Sequence, residues 1–491
     1  MSILNFLLGS IFGFSLIWVP IVHAVIVILF GFRLISVRRP VGVAIAWFLI
    51  VVLFPILGIS LYILIGERPV GRKLTRKIIR MDKEYAAITA EMRQHYQADK
   101  LQLPIEGRAL SLLAESKNGS PVIAGNKIEL FTSSLKILQD FIDEINQAKK
   151  SLHLEFYIWA LGGDADRVGE ALIGAAKRGV VCKVLLDSLG SKDWFKSSWP
   201  HRFRNAGIQV TEALPIQIGR FQFRRADLRL HRKIFVIDNA VVWTGSMNMV
   251  DPRTFKQDSG VGEWVDAMVR IEGPVASQFE LTFSFDWSVD NATINHFKAV
   301  APTPSPIEGR VLAQEFSSGP VYRDDILYQV LLSAIMDARK ELIITTPYFG
   351  PDDGLIQALM AAAGRGVKVT LIVPKLNDSA LVAWSSHSFY ADLMDAGVNI
   401  AEFHGGLLHT KSLLIDKQVA IFGSVNFDQR SLRLNFEISL IVYNDAFCAK
   451  LETLIESYLA QSDLVDPINW AKRPRWRVLL ENAAHLASPL L

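Results

Sequence analysis

Cysteine is almost missing from this chain: Cys182 and Cys448 are the two in 491 residues. Neither has metal-ligand spacing around it, which argues for buried free thiols and against a disulfide framework. No zinc pattern, phosphate-cradling P-loop or dinucleotide fingerprint occurs. A strong charge of one sign is also missing. The formal net charge is +3, too small to imply bulk attraction to polyanions. Charged side chains of either sign are absent between Met1 and Phe32.

That last absence is the first positive signal. A segment from about residue 4 to residue 30 is long enough to cross a bilayer core, and a second uncharged run covers 41–65. Arg33, Arg38 and Arg39 lie between them. The pattern predicts a transmembrane hairpin over residues 1–70. A cleavable signal peptide fits less well, since no basic residue precedes the apolar stretch. Arg68, Arg72, Lys73, Arg76, Lys77 and Arg80 follow the second run and outnumber the charges in the turn. That bias predicts that the large region after the second run is cytoplasmic. Residues 71–115 read as a juxtamembrane helical linker, either lying on anionic headgroups or solvated.

Beyond the linker the chain repeats itself. "AKKSLHLEFYI" at Ala148 is matched by "ARKELIITTPYF" at Ala338, an offset of 190. "ALIGAAKRGVVCKVLLD" at Ala171 is matched by "ALMAAAGRGVKVTLIVP" at Ala358, an offset of 187. Similar offsets in a fixed order indicate tandem duplication. The proline-rich Ala301–Pro306 separates a first half, 116–300, from a second, 307–491. In each half strand patterns alternate with helical ones, which predicts two α/β sandwich domains related by a pseudo-twofold axis.

One sparse pattern occurs in both halves. "HRKIFVIDNAVVWTGSMN" begins at His231 and "HTKSLLIDKQVAIFGSVN" at His409. Histidine and lysine two apart share one face of a strand, while the aspartate seven residues on faces away and suits a capping bond. The duplication would bring together His231 with His409, Lys233 with Lys411 and Asn248 with Asn426, with Ser246 and Ser424 offering further hydrogen bonds. Such a set suits a phosphodiester. One imidazole attacks phosphorus and the other protonates the leaving alkoxide, while lysines and asparagines offset charge on the oxygens. No metal or other cofactor is required. Each ring needs an acidic orienting partner. Asp266 and Glu437, which follow their histidines by 35 and 28 residues, are the candidates. A single H-x-K pair would be an ordinary surface or capping feature. Two copies with the same G-S-x-N at the same distance are not.

These residues resemble the duplicated H-K-D motif of the phospholipase D superfamily. "DLRLHRKIFVIDN", "GGLLHTKSLLID", "GSVNFDQRSLRLNFEISL" and the N-terminal apolar runs are together similar to bacterial cardiolipin synthases of the Gram-negative type. The resemblance implies transfer of phosphatidyl from one phosphatidylglycerol to another, through a phosphohistidine, releasing glycerol. It implies a catalytic set of His231, Lys233, Asp238, His409, Lys411 and Asp416, with His231 as nucleophile and His409 as acid and base. Anionic membrane lipid is the implied partner, not nucleic acid. Leu230 and Gly350 depart from the usual residues without removing a chemical group.

Other features carry two readings each. Arg220, Arg224, Arg225, Arg229 and Arg232, with Phe221 and Phe223, suit a surface dipping into anionic lipid; a solvated loop is the alternative. Trp194 and Trp199 beside lysines fit an interfacial belt or plain packing. Arg430 and Arg433 suit a lipid phosphate or an internal ion pair, and His153 a satisfied core position. The competing functions are a hydrolytic phospholipase D, a membrane-anchored nuclease and a catalytically dead lipid-binding scaffold.

Overall fold

The computed structural model describes residues 18–37, 41–62, 66, 88–90, 92–94, 97–215, 227–290, 309–320 and 325–486. The chain divides into two units, Met1–Lys73 with Ile216–Asp227, and Leu74–Pro215 with Leu228–Leu491.

The first unit contains helices α1 (Trp18–Ser36), α2 (Val41–Leu53) and α3 (Pro55–Leu61). Phe30, Leu34, Val51 and Tyr62 are buried together, with the Tyr62 ring edge-on to Phe30 at 4.7 Å and to Trp47 at 5.3 Å. Among the described residues no helix is long and apolar enough to cross a membrane. Part of the reason is local. Proline disfavours helical backbone in the residue before it, and Phe54, preceding Pro55, takes φ −137° and ψ 73°. The second apolar run is therefore two helices. Residues 4–17 and 63–65 of the expected spans, Arg38 and Arg39 lie outside the described residues, as do 71–87, Arg220–Arg225 and the Ala301–Pro306 linker.

The second unit holds both repeats. Helix Ser134–Gln147 shows how the pattern dictates an element. Ile137, Leu138, Phe141, Ile142 and Ile145 make one buried stripe, each contributing about 1.5–3 kcal/mol. Ser133 caps it by accepting from the Lys136 amide. Trp194 and Trp199 are buried in the same core, so packing and not an interfacial belt accounts for them. Cys182 and Cys448 are buried and free. His153 is bonded through Nδ1 to Glu280 at 2.8 Å and stacked on Phe283.

The strands of the first half are β1 (Ile123–Phe131), β2 (Ser151–Phe156), β3 (Val181–Asp187), β4 (Gln209–Ala213), β5 (Arg229–Leu230), β6 (Ile234–Ile237), β7 (Val241–Gly245), β8 (Trp264–Val265) and β9 (Met268–Glu272). Those of the second are β10 (Val311–Ser318), β11 (Glu341–Thr345), β12 (Phe349–Gly350), β13 (Lys368–Pro374), β14 (Asn399–Phe403), β15 (Leu407–Leu408), β16 (Ser412–Ile415), β17 (Val419–Gly423), β18 (Phe427–Asp428), β19 (Asn435–Tyr443) and β20 (Ser462–Leu464). The first half orders its strands β1-β9-β7-β6-β2-β3-β4, and the second repeats this as β10-β19-β17-β16-β11-β13-β14, with β20 added at the edge. Antiparallel pairing of β1 with β10 joins them into one sheet. Helix Ile105–Asn118, read from sequence as part of the linker, instead packs Leu110 and Ala114 into the core of the second half.

The aspartates of the repeated motif belong to this architecture. Asp238 and Asn239 have φ of +52° and +55°, and Asp416 and Lys417 have +49° and +58°. With the Ala240 amide bonded to the Ile237 carbonyl, and Gln418 to Ile415, these are two-residue hairpin turns. Asp238 also accepts from the backbone amides of Lys149, Lys150 and Ser151. Asp416 does the same for Arg339, Lys340 and Glu341. Each carboxylate thereby fixes the start of the neighbouring strand, at the end of its own strand remote from the histidine. A lost set of such bonds costs about 1–3 kcal/mol.

Candidate active site

Both histidines reach their places by crossing between the halves. Strand β5 runs parallel to β19, pairing Arg229 with Asn435 and Leu230 with Phe436. The His231 amide then donates to the Phe436 carbonyl at 2.9 Å. Reciprocally, β15 runs parallel to β8, pairing Leu407 with Trp264 and Leu408 with Val265. The His409 amide donates to the Val265 carbonyl at 2.9 Å.

This exchange corrects the expected pairing of acids and rings. Chain order puts Asp266 after His231 and Glu437 after His409. In the structure His231 Nδ1 bonds Glu437 at 2.9 Å, and His409 Nδ1 bonds Asp266 at 2.6 Å. Each ring is thus held by the other half, because the short parallel ladders bring it to the foreign strand. Bonding through Nδ1 leaves Nε2 as the reactive nitrogen of both rings.

The serines are also reassigned. Ser246 Oγ donates to Asp266 at 2.6 Å and Ser424 Oγ to Glu437 at 2.5 Å. They orient the acids and are wholly buried. The preceding glycines make this possible. A Cβ on Gly245 would lie 2.5 Å from the Ala267 carbonyl oxygen, and one on Gly423 would lie 2.2 Å from that of Ile438. Only glycine lets the two backbones meet closely enough for the hydroxyl to reach the carboxylate.

Lys233 and Lys411 each donate from Nζ to the carbonyl of their own histidine at 2.6 Å. Both are buried. Burial lowers Lys233 to about 8 against the pull of Glu437 and Asp266, and holds Lys411 well below its ordinary value. Burial also lowers both imidazoles to about 4, outweighing their acids. The two rings are therefore neutral at pH 7. Burial pushes Asp266 and Glu437 upward, but the histidine, lysine and serine contacts outweigh it, and both remain ionised.

His231 and His409 line one cleft of about 270 Å³, together with Asn248 and Asn426. Asn248 Oδ1 accepts from the Ile158 amide, leaving Nδ2 to face a ligand. Several cleft residues escaped the sequence reading. Tyr157 lies edge-on to His231 at 5.1 Å, and Trp264 packs on His409 at 4.3 Å. Tyr348, Lys256, Asp428 and Asn435 also line the walls. Trp264 and Asn435 stand two residues before the acids, a spacing that could have flagged them. Arg229 and Arg232, read as an exposed basic surface, are buried. Arg232 binds Asp286 and the Glu437 carbonyl, bracing the strand that carries the acid. Arg433 pairs with Asp352, whereas Arg430 lines the cleft.

The family pattern described as cardiolipin synthase, phospholipase D-like domain, matches residues 141–287 and again 331–459. The phospholipase D-nuclease N-terminal pattern matches residues 19–67. Cardiolipin synthase A of Edwardsiella ictaluri is 43% identical over 467 residues, covering 94% of this chain and 95% of that protein. The enzyme of the same name from Serratia proteamaculans is 41% identical over 466 residues, with the same two coverages. Among solved structures, phosphatidylserine synthase of Haemophilus influenzae Rd KW20 superposes with a TM-score of 0.61 at 15% identity. It covers 78% of this chain and 100% of that one, a likeness of fold.

The crossed arrangement predicts a coupling pattern. In stability double-mutant cycles, His231→Ala with Glu437→Gln should couple by more than ~1 kcal/mol, and His231→Ala with Asp266→Asn by much less. The reverse order would refute the exchange. The neutral rings also predict a pH profile. An imidazole that protonates an alkoxide must gain its proton as the substrate binds. With both rings near 4, kcat/KM should fall as pH rises from about 6 to 9, more steeply above about 8 as Lys233 discharges. A level profile across that window would count against it.

Proposed function

Because this chain belongs to the phospholipase D-like cardiolipin synthase family, we propose that it is a phosphatidyltransferase joining two phosphatidylglycerols into cardiolipin with release of glycerol. The observation that carries this reading is the pair of neutral imidazoles on one cleft, each held at Nδ1 by an acid from the opposite half.

The chemistry is a double displacement. Nε2 of one histidine attacks phosphorus of the donor lipid, forming a P–N bond as the P–O bond to the departing glycerol breaks. The other imidazole, protonated on substrate binding, gives its proton to that oxygen. The terminal hydroxyl of the second lipid then returns a proton to the same ring and attacks phosphorus, and the P–N bond breaks. Lys233 and Lys411, held on the backbone carbonyls of the two histidines, bring positive charge to the site, and Asn248 donates to a phosphoryl oxygen. Asp238 and Asp416 shape the strands that carry these groups, without touching the reacting atoms.

We further propose that the N-terminal helices form a two-pass hairpin in the inner membrane, with the catalytic halves cytoplasmic. At 1.5 Å per residue the 19-residue α1 is about 28 Å long. Helices α2 and α3, of 13 and 7 residues, hold about 30 Å of helical rise between them, comparable to a ~30 Å hydrocarbon core. The outward side chains support this, since Ile28, Leu29, Phe32, Ile45, Leu53 and Ile56 are all exposed.

Purified full-length protein with labelled phosphatidylglycerol should yield cardiolipin and glycerol together. His231→Ala and His409→Ala should each reduce the rate by about 10²–10⁴-fold or more. Phosphatidic acid as the main product would instead establish a hydrolase. For topology, a cysteine at Ser36 should react with an impermeant maleimide from the periplasm, and one at Lys472 only after lysis. Equal labelling of both in intact cells would rule out the hairpin.

A further inference from the structure

The two sides of the cleft are built from equivalent rungs but differ in chemistry. On the His231 side the β5–β19 rung is Arg229 against Asn435; on the His409 side the β15–β8 rung is Leu407 against Trp264. A polar pair on one side replaces an apolar pair on the other. The sides differ again after the motif. Both motifs run on into D-x-R, Asp428-Gln429-Arg430 in one half and Asp251-Pro252-Arg253 in the other, but Arg253 pairs with Asp251 and Asp164 and is not among the residues lining the cleft. Arg229 and Arg430 both line the cleft.

The two arginines gather around one phenol. Burial and Asp187 push the Tyr157 hydroxyl up, while Arg229 and Arg430 both pull it back, as cations nearby do. Tyr157 itself lies against His231. A carboxylate lies beside each arginine, Asp187 by Arg229 and Asp428 by Arg430. Asp187 lies 3.9 Å from Arg229 and accepts from the amides of Leu189, Gly190 and Leu230. Asp428 caps the Ser431 amide at 2.7 Å. On the opposite side the cation lining the cleft is a lysine. Lys256 pairs with Asp378 at 2.9 Å and lies over the Trp264 ring.

A reaction between two phosphatidylglycerols needs such an asymmetry. The acceptor carries its own phosphodiester, one glycerol away from the phosphorus under attack. Two anions that close repel in a cleft of low dielectric unless the second has its own cations. Paired guanidiniums match a phosphate's geometry better than ammonium groups do.

We propose that Arg229 and Arg430, with Tyr157 and Asn435, form a second phosphodiester subsite that holds the phosphate of the acceptor lipid. It rests on the reading of the enzyme as a cardiolipin synthase. The subsite selects the acceptor and is not needed by a neutral alcohol.

The test uses the full-length protein in mixed micelles of phosphatidylglycerol with ethanol present. The phosphoenzyme then partitions between cardiolipin and phosphatidylethanol, so each variant carries its own internal measure of folded enzyme. Arg430→Gln should lower the ratio of cardiolipin to phosphatidylethanol about tenfold or more, the worth of a charge-assisted bond to phosphate. Arg430→Lys, which keeps the charge, should fall between that variant and wild type, and it carries the test should the glutamine variant not fold. An unchanged ratio in these variants, with both products falling together or neither falling, overturns the subsite. If the wild-type protein makes phosphatidylethanol and no cardiolipin, the failure lies with the synthase reading itself.

Discussion

Two buried bonds between an imidazole and a carboxylate govern this molecule. Each couples a histidine from one repeat to an acid from the other, His231 to Glu437 and His409 to Asp266. Everything near them exists to bring the partners into register. The short parallel ladders deliver the rings, the glycines let the strands close up, and the serine hydroxyls aim the acids. A buried acid and ring left apart would each bear a desolvation cost unrelieved. Folding of either half is thereby tied to the presence of the other at the site.

Much of the fold was legible because its signals are periodic. The alternation of strand and helix follows from the spacing of apolar residues, and the duplication from offsets along the chain. The matching strand orders show that the repeat in sequence is a repeat in space. The linker assignment of Ile105–Asn118 missed its role because its partners, Phe316 and Leu327, lie some two hundred residues away. Nothing local records which half a helix will join.

The site was legible in its residue types and less so in its connections. The histidines, lysines and asparagines of the motif, with Asp266 and Glu437, lie where the two halves meet, whereas Asp238 and Asp416 sit at the far ends of their strands. Their pairing was not legible, because a strand exchange leaves no mark on spacing. The serines were read as ligand donors since a hydroxyl beside a strand end suits either role, and only the distance to Asp266 or Glu437 decides. The basic run ending at Lys233 looked like an exposed surface. Arg232 is instead spent inside, on Asp286 and a backbone carbonyl. Charge in a sequence does not disclose which guanidiniums have internal partners.

The join between β1 and β10 has a consequence for ancestry. Two separate copies of one half, meeting in the same crossed manner, would have to present identical walls to whatever entered between them. A lysine gained on one side would appear on both. Once the copies are consecutive stretches of a single gene, that obligation ends, and each wall can drift alone. Leucine facing tryptophan at one rung and arginine facing asparagine at its twin are what such freedom leaves behind.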